Sequence, residues 1–296
     1  MYDIIIIGAG PAGLTAAIYA LRAGKKVLVL EKKAYGGQIV NATKVKNYPG
    51  FLEISGLELA ENMYEQVKAF SGEVKFEEAL GVSLEDGYKL VRTDESEYKA
   101  KAVILATGAE NGKLGASGEE KLVGKGVSYC ATCDGSLYKG KDVAVIGGGN
   151  TALYDALYLA DVASKVYLIH RRDEFRAQKT LVDLAKEKGN VEFVLGAKVV
   201  EFLGEDKLTS LKLDDGRVLE VDGAFVAVGY VPQNQAFSDV VSLDEKGYVE
   251  TSDGIHTNID GIYVAGDAKA KELKQLVTAT SDGAMAATVA IKELEN

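Results

Sequence analysis

Residues 4–13 read Ile4-Ile5-Ile6-Ile7-Gly8-Ala9-Gly10-Pro11-Ala12-Gly13, and residues 143–152 read Val143-Ala144-Val145-Ile146-Gly147-Gly148-Gly149-Asn150-Thr151-Ala152. Each is an apolar, β-branched run ending in a glycine turn, the pattern that carries a strand into a helix. After the first turn a helix is expected from about Leu14 to Arg22, stopped by Gly24, and then a strand Val27–Leu30 that ends in Glu31. After the second, a helix is expected through about Asp161 and a strand Val166–Ile169 that ends in His170. The offset is 139 at both ends, Gly8 to Gly147 and Glu31 to His170. One GxGxxG is weak evidence, but two in register with whole βαβ units predict an α/β chain with two Rossmann-like dinucleotide-binding domains.

Working outward, Ala106-Thr107-Gly108 follows an apolar run Val103–Leu105, and Ala227-Val228-Gly229 follows Ala224–Val226. The tail repeats nothing: Ile262-Tyr263-Val264-Ala265 leads into Gly266-Asp267 and then a helix from about Leu276. It is expected to return to the first unit, so that the second domain is inserted into the first. The stretches 110–117 and 240–247, rich in Gly, Ser, Asn and charge, place the domains at 1–112 with 243–296, and at 113–242.

The length of 296 residues suits two domains of roughly 100–200 residues each. Hydrophobic residues at 47% and charged residues at 26% exclude a disordered chain. Glycine is the outlier, 33 residues against three prolines, as befits a chain that uses backbone conformations closed to other residues. A formal charge of −10 argues against nucleic acid and anionic membrane as partners. No uncharged apolar run reaches the roughly 18 residues of a membrane span, and Met1-Tyr2-Asp3-Ile4 lacks a basic secretory n-region. A cytoplasmic location is expected.

In a dinucleotide turn the first glycine makes the bend and the second lets the backbone approach a pyrophosphate. The third allows close packing, and the phosphates rest on the helix N-terminus. Gly8, Gly10, Pro11, Ala12 and Gly13 are the candidate contacts of the first turn, and Gly147, Gly149, Asn150, Thr151 and Ala152 those of the second. Glu31 offers a carboxylate to ribose hydroxyls and fits an adenosine without a 2′-phosphate. His170 is instead followed by Arg171, Arg172 and Arg176, half of the six arginines of a chain with 28 lysines. Where charge alone suffices this chain uses lysine, so the cluster asks for planar, forked donors of the kind that clamp a 2′-phosphate. NADPH is expected on the second unit; the alternative is a solvated basic turn.

Cys130 and Cys133, in Cys130-Ala131-Thr132-Cys133-Asp134, are the chain's two cysteines, too few for a secreted disulfide scaffold. Structural zinc needs four ligands, and the chain adds only His170 and His256. A structural disulfide closing so short a loop restrains little chain entropy. A redox-active CxxC is the preferred reading. Asp134 is placed to exchange the proton that thiol chemistry requires, its alternative being an ordinary turn aspartate. A nicotinamide delivers hydride, whereas a disulfide is opened by a thiolate or by electrons from a flavin, so a mediator is needed. The first unit, with Glu31 and no arginine cluster, can hold FAD. No metal site is expected.

These motifs resemble the bacterial low-molecular-weight thioredoxin reductases over essentially the whole chain: Gly8–Gly13, Gly36–Gln38, Asn47–Phe51, Ala106–Ala109, Cys130–Gly135, Gly147–Ala152, His170–Ala177 and Ala265–Ala268. The resemblance implies a discontinuous FAD domain, a central NADPH domain, a homodimer and a thioredoxin-like protein as partner. It makes Cys133 the thiol nearest the flavin, Cys130 the one that attacks the protein substrate, and Asp134 the acid/base. Gly36, Gly37, Gln38, Asn47, Gly108, Gly266, Asp267, Lys274 and Gln275 would line the FAD, with Asp267 on its ribityl hydroxyls. Three positions depart from the pattern: Tyr154-Asp155 in place of Glu-Glu, Lys274-Gln275 in place of Arg-Gln, and Ser117 in place of proline. The rival readings are a same-fold CxxC flavoprotein fed by ferredoxin or acting on small dithiols, and a non-catalytic flavin redox sensor.

Overall fold

A computed structural model describes residues 1–42 and 44–295; Thr43 and Asn296, both inside the expected first domain, lie outside them. The chain divides into two compact units, Met1–Glu110 with Val231–Asn296, and Asn111–Tyr230.

In the first unit Tyr2–Ile7 is the central strand, with parallel partners Val27–Leu30 on one side and Glu97–Leu105 on the other. Ile4, Ile5 and Ile6 are fully buried, which is why this strand reads as a continuous apolar run rather than an alternation. Glu73–Lys75 extends the sheet beyond Val27–Leu30. The long strand Glu97–Leu105 has two halves. Its first half carries the antiparallel hairpin Ala79–Glu85 and Tyr88–Thr93, and its second half pairs with Ile262–Val264. The helices Pro11–Arg22 and Leu276–Leu294 meet at Gly283, where a Cβ would stand 2.1 Å from the Ala12 carbonyl oxygen.

The second unit builds the same parallel order: Val191–Leu195, Lys165–His170, Asp142–Ile146, Gly223–Val226 and Val127–Ser128. A three-stranded antiparallel sheet, Val199–Leu203, Ser210–Leu213 and Val218–Glu220, is added to it. The parallel strands of the two units differ in one respect. The fifth position is filled by the last strand of the first unit, Ile262–Val264, and by the first strand of the second, Val127–Ser128. Ala265-Gly266-Asp267 and Tyr129-Cys130 therefore leave equivalent strand ends. Both lie at the carboxyl edge of a parallel sheet, where crevices for ligands form.

Two expectations shift. The first helix begins at Pro11 rather than Leu14, because proline at the first helical position lacks an N–H that would have gone unsatisfied anyway. The units part at 110/111 and 230/231 rather than at 112/113 and 242/243. The second difference has a residue behind it. Asn234 is fully buried; it donates to the Gly247 and Ala268 carbonyls at 2.9 and 2.7 Å and accepts from Thr107 Oγ1 at 2.6 Å. Phe237 and Val241 pack in the same unit's core, so the stretch 231–242 belongs with the first unit. The chain's two crossings, Ala109–Asn111 and Tyr230–Pro232, pair in a two-stranded sheet. No helix among the described residues is long and apolar enough to cross a membrane.

Candidate active site

The first glycine turn is set by close approach. Gly8 sits at φ +109°, and a Cβ there would lie 2.3 Å from the Ala106 carbonyl oxygen; at Gly13 it would lie 1.8 Å from that of Gly8. Ala12 is buried behind the turn, on the helix that Pro11 opens. Gly10 is open, its would-be Cβ meeting nothing nearer than Gly37 Cα at 4.0 Å. This is the position that must admit a pyrophosphate. The Gly36 N–H donates to the Ala9 carbonyl at 2.7 Å, which brings Gly36, Gly37 and Gln38 to the turn. Glu31 accepts the Ala9 N–H at 2.8 Å on one carboxylate oxygen and the Lys33 N–H at 3.0 Å on the other.

Gln275 caps the Leu276–Leu294 helix reciprocally with Thr278 and accepts from Asn47 Nδ2 at 3.0 Å. Gly108 ends the neighbouring strand turn, its carbonyl accepting the Gln233 N–H at 3.1 Å. Beyond Gly266, Asp267 Oδ1 is buried and without a hydrogen bond, although Lys271 Nζ stands 2.9 Å away. Lys271 also reaches Asp282 Oδ2 at 3.0 Å, and buried Lys269 reaches Asp282 Oδ1 at 3.1 Å. Lys274 lies over the Tyr248 ring at 4.3 Å and donates to the Asp267 carbonyl at 3.4 Å. Burial holds it below the ordinary lysine value. The reading of the sequence missed Lys269, Lys271, Asp282 and Asn234: lone polar residues in irregular segments carry no periodic signal.

The second turn repeats the first with one substitution. A Cβ on Gly147 would lie 2.3 Å from the Ala227 carbonyl oxygen, Gly149 has open space, and Ala152 is buried. Gly148, however, lies under the His170 imidazole, whose ring atoms would stand 2.1–2.4 Å from a Cβ. Phe175 stacks on that ring with centroids 5.4 Å apart, and the Arg176 N–H donates to the Gly148 carbonyl at 2.9 Å. His170 Nε2 is buried and has no hydrogen-bond partner among the described residues. Burial lowers its pKa, Arg171, Arg172 and Arg176 push the same way, and a hydrogen bond with the Glu174 backbone opposes them. The three arginines are exposed, and their side chains form no ion pair or hydrogen bond among the described residues, whereas Arg217 is bound to Asp215.

Asn150, at the start of the helix Asn150–Ala160, accepts the Gln178 N–H at 2.9 Å, and Thr151 beside it is exposed. On the same helix Tyr154 is exposed, and burial alone pushes Asp155 up to about 7.

Cys130 and Cys133 are joined in a disulfide with Cα atoms 5.3 Å apart. Cys130 caps the short helix Ala131–Asp134, its sulfur accepting the Cys133 N–H at 3.2 Å, and Thr132 Oγ1 lies 3.4 Å from it. Cys133 is an exposed residue and Cys130 half-buried. Asp134 Oδ2 accepts from Ser128 Oγ at 2.7 Å. Among the described residues no cluster of His, Cys, Asp and Glu could hold a metal ion.

Comparison with known proteins matches residues 2–283 to the family model described as pyridine nucleotide-disulphide oxidoreductase. A thioredoxin reductase of Listeria innocua is 46% identical over all of this chain and 94% of its own. The crystal structure of thioredoxin reductase from Streptococcus pyogenes superposes with a TM-score of 0.94 at 41% identity, covering 100% of this chain and 98% of that one. A ferredoxin-flavin thioredoxin reductase from Clostridium acetobutylicum is 36% identical with a TM-score of 0.55, covering 99% and 98%.

Proposed function

The chain belongs to the pyridine nucleotide-disulphide oxidoreductase family, and we propose that it is a thioredoxin-disulfide reductase, carrying electrons from NADPH through FAD and the Cys130/Cys133 dithiol to a thioredoxin-like protein disulfide. One observation carries the reading. His170 Nε2 on the second turn is buried and lacks a hydrogen bond among the described residues. Folded interiors rarely leave such an atom unpaired; it suits an adenosine ribose, while Asp267 Oδ1, which faces the Lys271 ammonium at 2.9 Å, keeps lone pairs for a ribityl hydroxyl.

FAD on Gly8–Gly13, Gly36–Gln38, Asn47, Asp267, Lys274 and Gln275 would supply the two-electron relay between nicotinamide and dithiol. Glu31 would take ribose hydroxyls. On the second turn Gly149 leaves room for a pyrophosphate, and Arg171, Arg172 and Arg176, three unpaired forks on a protein of net charge −10, would clamp the 2′-phosphate. Cys130 thiolate attacks a substrate sulfur and displaces the other as thiolate. Cys133 thiolate then attacks Cys130 Sγ, re-forming the enzyme disulfide and releasing the second substrate sulfur. The two protons lost by the enzyme thiols end on the substrate thiols, with Asp134 as carrier. A homodimer in the cytoplasm is the proposed setting.

Anaerobic titration with NADPH and NADH, followed by flavin absorbance, tests this. NADPH should bleach the flavin. The double variant R171A/R172A should bind NADPH more weakly, about 1.5–3 kcal/mol for each charged hydrogen bond lost, with NADH much less affected and FAD content unchanged. Equal losses for both nucleotides would remove the clamp assignment. A flavin that NADPH does not reduce would favour the ferredoxin-fed reading.

A further inference from the structure

Ser128 is the last residue of the strand Val127–Ser128 and is buried. Its Oγ accepts the Cys130 N–H at 3.1 Å and donates to Asp134 Oδ2 at 2.7 Å. The Cys130 carbonyl, at 3.4 Å, is a second and longer acceptor. A serine hydroxyl has one hydrogen to give; with an N–H aimed at its oxygen, the hydrogen goes to the nearer, charged acceptor. No other hydrogen bond to the Asp134 carboxylate exists among the described residues. The aspartate is held to its sheet edge by this hydroxyl, and the same hydroxyl holds the backbone of the neighbouring cysteine.

We propose that Ser128 is the positioning residue of the dithiol's acid–base group, fixing the Asp134 carboxylate at the end of the CxxC helix while anchoring Cys130. The inference rests on the reading of Asp134 as proton carrier. In the exchange, a proton released when an enzyme thiol becomes the attacking thiolate passes to Asp134 and from it to the substrate thiolate that leaves; no electrons beyond those of the dithiol are involved. Ser128 takes no part in the bond changes. It keeps the carboxylate from swinging into solvent.

The test measures the rate at which the NADPH-reduced holoenzyme reduces oxidised thioredoxin, with flavin content and flavin reduction by NADPH as controls for folding. D134N should slow the exchange by about 10²-fold. S128A should slow it about tenfold, a charged hydrogen bond's worth, and S128T should restore it to within about twofold. In the D134N background S128A should add much less than tenfold, because the larger part of its effect runs through the Asp134 carboxylate and only the Cys130 anchor remains to be lost. Should S128A lose flavin, S128V takes its place, being isosteric with S128T. The proposal is overturned if S128A matches wild type, if S128T is as slow as S128A, or if S128A slows D134N by the same factor. If D134N itself reduces thioredoxin at the wild-type rate, the proton-carrier reading fails first.

Discussion

Gly148 and Ala9 stand at the same place in the two turns, and the residue that follows the second strand determines which of them is tolerated. Glu31 reaches the Ala9 N–H through a carboxylate oxygen at 2.8 Å, a contact that leaves room for a methyl group. His170 lays its ring across Gly148, where a Cβ would fall within 2.4 Å of three ring atoms. Turn and ribose-end residue are thus a matched pair; the 139-residue offset showed that the positions correspond, not that the imidazole covers the turn. Ser128 was not legible, because a serine two residues before a cysteine has no pattern to betray a hydrogen bond to Asp134. Exposure in the chain alone does not assign the cysteines, since Cys133 is the more open one; variants do. C133S should keep a Cys130 thiolate that traps thioredoxin as a mixed disulfide. C130S should fail to trap it and instead show a long-wavelength thiolate–flavin band that bleaches on acidification. Non-reducing electrophoresis and absorbance spectra check both, and trapping by C130S instead would exchange the roles.

At the scale of elements, apolar runs marked every central strand, yet not the order in which the chain fills the sheets. The fifth strand of the second unit, Val127–Ser128, is two residues long, too short for periodicity to reveal. Its place is fixed by pairing with Gly223–Val226 and by Glu119, which is 1% exposed and accepts the Leu114 and Gly115 N–H groups and the Tyr129 hydroxyl.

A different polar clasp ties the start of the Ile262–Val264 strand to the end of the last helix. His256 lies 2.7 Å from Asp253 Oδ2 through Nδ1 and 2.8 Å from Glu293 Oε1 through Nε2, while Tyr263 donates to Glu293 Oε2 at 2.6 Å. A neutral imidazole has one N–H for two carboxylates, so the geometry calls for the imidazolium. Its pKa is raised, by Glu293 first and Asp253 second, while those carboxylates are held below their ordinary range.

Because the folded value lies above the unfolded one, the stabilisation is complete below pH of about 6.5 and is lost as pH rises through the raised value. On the acid side it fades as the carboxylates protonate. H256Q should therefore melt roughly 1–3 °C below wild type near pH 6, a modest gap for an exposed cluster. The gap should close by pH of about 9. Thermal melts of flavin-loaded protein across that range check it, and a gap constant with pH would show that packing rather than charge is responsible.

For the whole molecule, the decisive property is that each unit owns its core. Ile4, Ile6, Leu14, Val29 and Ile104 pack in one cluster of the first unit, and Leu153, Val145, Leu168 and Phe225 in one of the second. Among the described residues no buried cluster draws on both units. The repeated βαβ unit pointed to two domains and composition shifts set their boundaries, the second of them at 242, whereas the compact units part after Tyr230. The chain from Val231 to Ser242 looks like a linker in sequence but is held by the long-range bonds of Asn234 and by Phe237 and Val241 in the first unit's core.

Separate cores and one nucleotide turn per unit lead to an expectation for unfolding. Calorimetry of the flavin-loaded protein should resolve two transitions. NADP⁺ at a hundred times its dissociation constant should raise one of them by about 2.7 kcal/mol, on the order of 10 °C for a unit of this size. Stripping the flavin should lower the other. In R171A/R172A the NADP⁺ shift should shrink while the flavin-dependent transition stays in place, because the clamp lies wholly within Asn111–Tyr230. A single transition responding equally to both nucleotides would mean that the units stabilise one another more strongly than their separate cores indicate, and the two-site reading would then have to stand on binding measurements alone.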